Sequence, residues 1–135
     1  MTNWEDAEQI EVVLHLKSKY PAVRFTISPV SLINNKVGGS RAQRLGYSAG
    51  TPDLMIFEPR GGRHGLFIEM KAPARPYVAR TGKLTKTRAG TASLEQLGWI
   101  NDMRILGYAA HVCVGGPAAK LVIDEYMKGE VEGSI

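Results

Sequence analysis

Gly65-Leu66-Phe67-Ile68-Glu69-Met70-Lys71 is the stretch on which the reading of the whole chain turns. It has the composition of a buried β-strand. Side chains alternate across a strand, so Glu69 and Lys71 leave one face while Ile68 and Met70 leave the other. A carboxylate and an ammonium among apolar neighbours are costly to bury unless they pair or meet a metal. The strand therefore carries a chemical message as well as a structural one.

Just upstream, Gly50-Thr51-Pro52 turns the chain into a second strand, Asp53 to Phe57, and Arg60-Gly61-Gly62-Arg63 is a hairpin-like connection between the two. Antiparallel pairing brings Asp53 beside Glu69. Two carboxylates then converge with one lysine. Such hard oxygen donors suit Mg²⁺ or Mn²⁺, which takes one or two carboxylates, keeps several waters and accepts a phosphate oxygen. The backbone carbonyl of Met70 is a further candidate ligand. In phosphodiester hydrolysis a metal of this kind lowers the pKa of a bound water, and a lysine such as Lys71 orients that water or stabilises the developing charge.

Working outward, apolar residues at helical spacing (Ala7, Ile10, Val13, Leu14, Leu16) predict a first helix over 4–20, ended by Pro21. Val23 to Ser28 alternates as a strand, and 29–50 reads mostly as loop. Ser93 is a plausible N-cap for a helix carrying Leu94, Leu97, Trp99, Ile100, Met103 and Leu106 and stopping at Gly107. Trp99 is read as core on that helix. Tyr108 to Val114 predicts a strand, parallel to 65–71 because a helix precedes it as a crossover. Gly115-Gly116-Pro117 then opens a last helix, Ala118 to Met127, with Leu121, Val122 and Tyr126 inward. The expected fold is α/β, a mixed sheet of about four strands flanked by helices, in one domain spanning 1–135 with an acidic tail over 128–135.

The bulk properties agree with that frame. Hydrophobic residues make up 44% and charged residues 22%, as in a folded soluble domain. The lone Cys113 lies in an apolar run, which points to a buried, inert thiol in a reducing compartment, the cytosol. No stretch is long and apolar enough for a membrane span, and Glu5, Asp6 and Glu8 do not fit a signal peptide. Net charge is +4 and the pI about 9.3. The excess is clustered: Arg75, Arg80, Lys83, Lys86 and Arg88 fall within a basic loop over 72–92 with no acidic residue between them, and Lys36, Arg41 and Arg44 form a second group. Such clusters suit a polyanion.

Other chemistries lack their residues. His15, His64 and His111 have no zinc-site spacing. Gly38-Gly39 and Gly115-Gly116 lack the strand-to-helix phosphate-loop pattern, so no nucleotide cofactor is expected. A glycosidase also uses paired carboxylates, but it requires no lysine two residues beyond one of them.

The pattern Gly50-Thr51-Pro52-Asp53-Leu54, then Ile68-Glu69-Met70-Lys71, then Gln96 with Trp99, resembles the VRR-NUC family of the PD-(D/E)xK nuclease superfamily over about residues 4–127. The resemblance implies a restriction-endonuclease-like core. By it, Asp53, Glu69 and the Met70 carbonyl bind the metal, Lys71 is catalytic and Gln96 reaches the site from the helix behind. It also implies an acidic residue on the first helix near the metal, for which Glu5 fits best, with Glu8 one turn away in reserve. Stand-alone members resemble Holliday-junction resolvases, which implies a two-fold homodimer acting on branched DNA in a replication-repair setting, phage or prophage. The loop over 72–92 is longer and more basic than the family's usual connection, and contact with DNA phosphates is one role open to it.

Overall fold

A computed structural model describes residues 4–28 and 36–129, with the side chains of 4, 5 and 36–39 left out. In order the elements are α1 (Trp4–Lys19), β1 (Phe25–Ile27), α2 (Lys36–Arg44), β2 (Leu54–Ile56), β3 (Leu66–Lys71), β4 (Pro76–Val78), β5 (Leu84–Lys86), α3 (Leu94–Ile105), β6 (Ala109–Val114) and α4 (Gly116–Met127). The tail beyond Gly129 lies outside the described residues.

Four strands form one mixed sheet in the order β1-β2-β3-β6. β1 and β2 are antiparallel, β2 pairs antiparallel with β3 through Leu54↔Ile68 and Ile56↔Leu66, and β6 runs parallel to β3. The parallel step follows α3, as a crossover requires. At the foot of the β2–β3 hairpin, a Cβ on Gly65 would stand 2.7 Å from the Ile56 carbonyl oxygen, so only glycine allows the strands to approach there.

Helices cover both faces. Val12 and Leu16 of α1 and Ala119, Ile123 and Met127 of α4 pack on Leu54, Ile56, Leu66, Ile68, Met70 and Cys113. On the opposite face a smaller core joins Phe67, Ala110 and Ile100 of α3. Sheet faces thus differ in kind. The α1/α4 side of β3 is wholly apolar, whereas on the α3 side Phe67 gives way to Glu69 and Lys71 as the strand runs out.

Several expectations are corrected. Residues 36–44 form a helix where the glycines predict loop, and the basic segment over 72–92 contains an antiparallel two-stranded ribbon, β4–β5. The inward faces of three helices are also rotated from the predicted ones. Ile10 and Leu14 are exposed while Val12 and Leu16 face the core. Leu121 is exposed, as are Leu94 and Leu97 of α3 and Leu106 at its C-cap, while Ile100 alone of that helix is buried. Hydrophobic identity misleads here because a short helix on a small sheet covers only one narrow stripe. Trp99 is half-buried and donates its indole N–H to the Ala49 carbonyl at 3.1 Å, so it ties α3 to the turn before β2.

Candidate metal and catalytic site

The acidic pair sits where β2 begins and β3 ends. Continuing the β2–β3 register beyond Leu54↔Ile68 sets Asp53 opposite Glu69 and Pro52 opposite Met70. Proline has no N–H, so the Met70 carbonyl receives no ladder bond from that position. The Met70 N–H instead donates to Asp53 Oδ2 at 2.7 Å. The Pro-Asp pair therefore does two things at one point of the sheet: it withholds a donor from the Met70 carbonyl and supplies a carboxylate to the Met70 amide.

Glu69 is 2% exposed and Asp53 8%. Glu69 Oε2 pairs with Lys71 Nζ at 3.2 Å and accepts from Gln96 Nε2 at 3.1 Å. Its other oxygen, Oε1, is buried without a hydrogen-bond partner. Burial and the adjacent Asp53 carboxylate raise the Glu69 carboxyl to about 8, and the Lys71 ammonium pulls it back only in part. A hydrogen bond between the two carboxyls needs a proton on one of them. With both ionised, neither carboxyl can donate to the other, and Oε1 has no donor.

Gln96 is fixed by the start of α3. Ser93 Oγ accepts from Gln96 N at 3.1 Å while Gln96 Oε1 accepts from Ser93 N at 2.8 Å, a reciprocal capping box. The turn before Asp53 is fixed by the same helix end. Gly50 has φ +88°, and a Cβ there would stand 2.8 Å from the Glu95 carbonyl carbon and oxygen. Only glycine satisfies both the left-handed backbone and that approach.

Tyr47 lies within electrostatic range of the acidic pair, and it is not among the residues singled out from the sequence. Burial raises its phenol, and so does the negative charge of Glu69, Asp53 and Glu95. It follows the C-terminal end of α2, where its N–H donates to the Ala42 carbonyl. No spacing rule connects it to the acidic pair, and the helix that delivers it was itself unexpected.

Of the first-helix acids, Glu5 lies in α1 but its side chain is outside the described residues. Glu8 accepts the Gly116 N–H at the start of α4, and Glu11 pairs with Lys120 at 2.6 Å. Both carboxylates thus act on the α1–α4 contact. Arg41 and Arg44 are exposed on α2, and Arg80, Lys83, Lys86 and Arg88 are exposed on or beside the ribbon, with Arg75 half-buried at its base. His64 packs edge-on against Tyr108, His15 bonds Asp124 and His111 lies in β6, each within the framework. Cys113 is buried and its thiol is pushed up to about 11 by burial, an inert group. A groove of about 1060 Å³ between α1 and β1, bordered by Ile10, Leu14 and Phe25, contains none of the site residues.

Among the described residues no three His, Cys, Asp or Glu side chains converge. The donors that do converge are two carboxylates, one of them with an orphaned buried oxygen, and a carbonyl opposite proline. That set fits a hard divalent cation that completes its shell with water and substrate oxygens.

No family model and no curated protein matches the chain. A solved structure described as a VRR_NUC domain protein superposes with a TM-score of 0.71 at 27% identity, covering 98% of this chain and 96% of that one. The mixed sheet with helices on both faces is a restriction-endonuclease-like fold. Within that class the chain is similar to a VRR-NUC domain, a likeness that supports a nuclease-type domain. No helix of the described residues is long and apolar enough to cross a membrane.

Proposed function

We propose that the chain is a Mg²⁺- or Mn²⁺-dependent DNA endonuclease that hydrolyses phosphodiester bonds. The observation that carries this is the orphaned Glu69 Oε1, buried beside Asp53 and flanked by Lys71. Asp53, Glu69 and the Met70 carbonyl are the ligands, and the cation when bound supplies charge neutralisation and a more acidic water. Lys71, held 3.2 Å from Glu69, places a positive charge where the phosphate acquires negative charge in the transition state. Gln96 holds Glu69 in position and leaves its Oε1 free for the ion. Hydrolysis is direct, with no covalent enzyme intermediate.

The family likeness extends the proposal to branched DNA such as Holliday junctions, cut by a homodimer that presents two sites. The test is cleavage of a labelled four-way junction beside a matched linear duplex, with Mg²⁺, Mn²⁺, Ca²⁺ or EDTA. Wild type is compared with Asp53→Ala, Glu69→Ala and Lys71→Ala. Metal-dependent cutting lost in every variant is the expected result; wild-type rates in any of the three would refute the assignment. Binding without cutting under every metal would leave a DNA-binding module that keeps the fold without the chemistry. Equal cutting of linear duplex by a monomer would remove the junction and dimer parts of the proposal.

A further inference from the structure

The β4–β5 ribbon stands apart from both cores. Pro76, Tyr77 and Val78 of β4 are exposed, as are Leu84 and Lys86 of β5, and Thr85 alone is half-buried. The pairs Pro76↔Lys86, Tyr77↔Thr85 and Val78↔Leu84 close over a turn in which Gly82 has φ +85° and donates to the Ala79 carbonyl. A two-stranded hairpin without a buried face is marginal in water. Yet this one leaves Val78 68% and Leu84 72% exposed, side by side on one face.

Its charge is one-sided. From Ala72 to Leu94 there is no acidic residue, and no described carboxylate pairs with Arg80, Lys83, Lys86 or Arg88. The base of the ribbon is tied by the Thr87 N–H to the Arg75 carbonyl at 2.8 Å and by the Arg75 N–H to Thr87 Oγ1 at 3.0 Å. Both of its feet meet Lys71. Ala72 follows that lysine directly, and on the return Gly90 donates to the Ala72 carbonyl at 2.9 Å. A Cβ on Gly90 would contact Lys71 Cβ and Cδ at 3.4 Å.

We propose that the β4–β5 ribbon is a DNA-binding arm that enters the major groove of a duplex whose backbone lies at Lys71, with Arg80, Lys83, Lys86 and Arg88 on phosphates and Val78 and Leu84 against base edges. The inference rests on the nuclease reading for its choice of polyanion. Exposed apolar side chains set among unpaired cations need a partner offering phosphates and apolar surface together, which a DNA groove does. The B-form major groove, about 12 Å wide, admits a two-stranded ribbon. The deep, narrow major groove of duplex RNA does not, so the arm should discriminate between the two.

The test compares wild type with two ribbon variants, Arg80→Gln/Lys83→Gln and Val78→Thr/Leu84→Thr, all four positions being exposed. Anisotropy titrations in Ca²⁺ use duplex DNA and duplex RNA of one sequence across a salt series. In parallel, Mn²⁺-supported hydrolysis of bis(p-nitrophenyl) phosphate, which has no groove, reads the acidic site alone. Losing two phosphate contacts should lower the salt slope of log K by about 1.8 and weaken DNA binding about 10- to 100-fold at low salt. The apolar variant should weaken DNA binding at every salt with the slope unchanged, and both variants should lose the preference for DNA over RNA. Small-substrate hydrolysis should stay at the wild-type rate. Unchanged DNA affinity in both variants overturns the arm, as does loss of self-association without loss of DNA binding. Absent hydrolysis by wild type, with ribbon-dependent DNA binding intact, would instead remove the nuclease reading and leave the arm standing.

Discussion

Gln96 uses both ends of its side-chain amide: Oε1 accepts the Ser93 N–H at 2.8 Å and Nε2 donates to Glu69 Oε2 at 3.1 Å. The residue that closes the N-terminus of α3 is thus the residue that orients the buried carboxylate. Helix start and site geometry are coupled through one amide group.

That coupling is separable by substitution. Gln96→Glu keeps a side chain able to complete the capping box, so its stability should stay within about 1 kcal/mol of wild type. It also sets a third carboxylate against Glu69, which disfavours ionisation of Glu69. Its cleavage rate should therefore be depressed near neutral pH and recover toward higher pH. Gln96→Ala should lose up to about 1 kcal/mol without that displaced pH profile. Identical pH–rate profiles for wild type and Gln96→Glu would show that the Gln96–Glu69 contact has no bearing on the reaction.

Gly50 offers a test of how Asp53 is aimed. Alanine there must adopt a backbone conformation that non-glycine residues avoid and must displace the first turn of α3. Gly50→Ala should cost about 1–3 kcal/mol in denaturant unfolding. Cleavage should fall further than stability explains, because a displacement of about 1 Å in a reacting group can cost about 100-fold. Full activity in a folded Gly50→Ala protein would show that the turn does not position Asp53.

The features most legible in the sequence are those governed by short-range rules. The alternation in 66–71 places Glu69 and Lys71 on one face, Pro52 fixes the entry to β2, and Ser93 with Gln96 forms the cap. What escapes is decided at long range. Helix α2 forms despite Gly38 and Gly39, whose propensity argues against it. The ribbon escapes because its strands bury no face and so show no alternation of apolar and polar residues. Leu94, Leu121 and Ile10 look like core and are exposed, since the orientation of a helix on a sheet depends on partners that its own period does not name. Tyr47 comes within electrostatic range of the acidic pair only through the path of α2.

Asp124 gives a prediction for acid stability. Tyr20 and His15 share its Oδ1 at 2.7 and 2.9 Å, and Lys19 lies 3.2 Å from Oδ2, joining α4 to the end of α1. Partial burial would raise this carboxyl, but those donors outweigh burial and hold it down at about 2, against an ordinary 3.8. A depressed acid contributes stability above its unfolded pKa and loses it as pH falls through the folded one. Wild type should therefore lose stability relative to Asp124→Asn between about pH 4 and pH 2. Parallel acid-unfolding curves for the two proteins would contradict the assignment.

Glu69 predicts the opposite slope for the metal-free protein. Its folded carboxyl is raised from 4.5 to about 8, first by burial and then by Asp53, so between those values the folded state keeps a proton that the unfolded chain has released. Stability from this group is complete below about pH 4.5 and is lost as pH rises through about 8. Glu69→Gln cannot ionise, so in EDTA its urea midpoint should overtake that of wild type as pH goes from 5 to 9. Comparing the two proteins cancels every other titrating group. At pH 8, Mg²⁺ should stabilise wild type and leave Glu69→Gln nearly unchanged, because a cation binds the ionised pair and displaces its proton. A constant difference between the midpoints across pH, unmoved by Mg²⁺, would mean that Glu69 folds already ionised and that its orphaned oxygen is not a site for a cation.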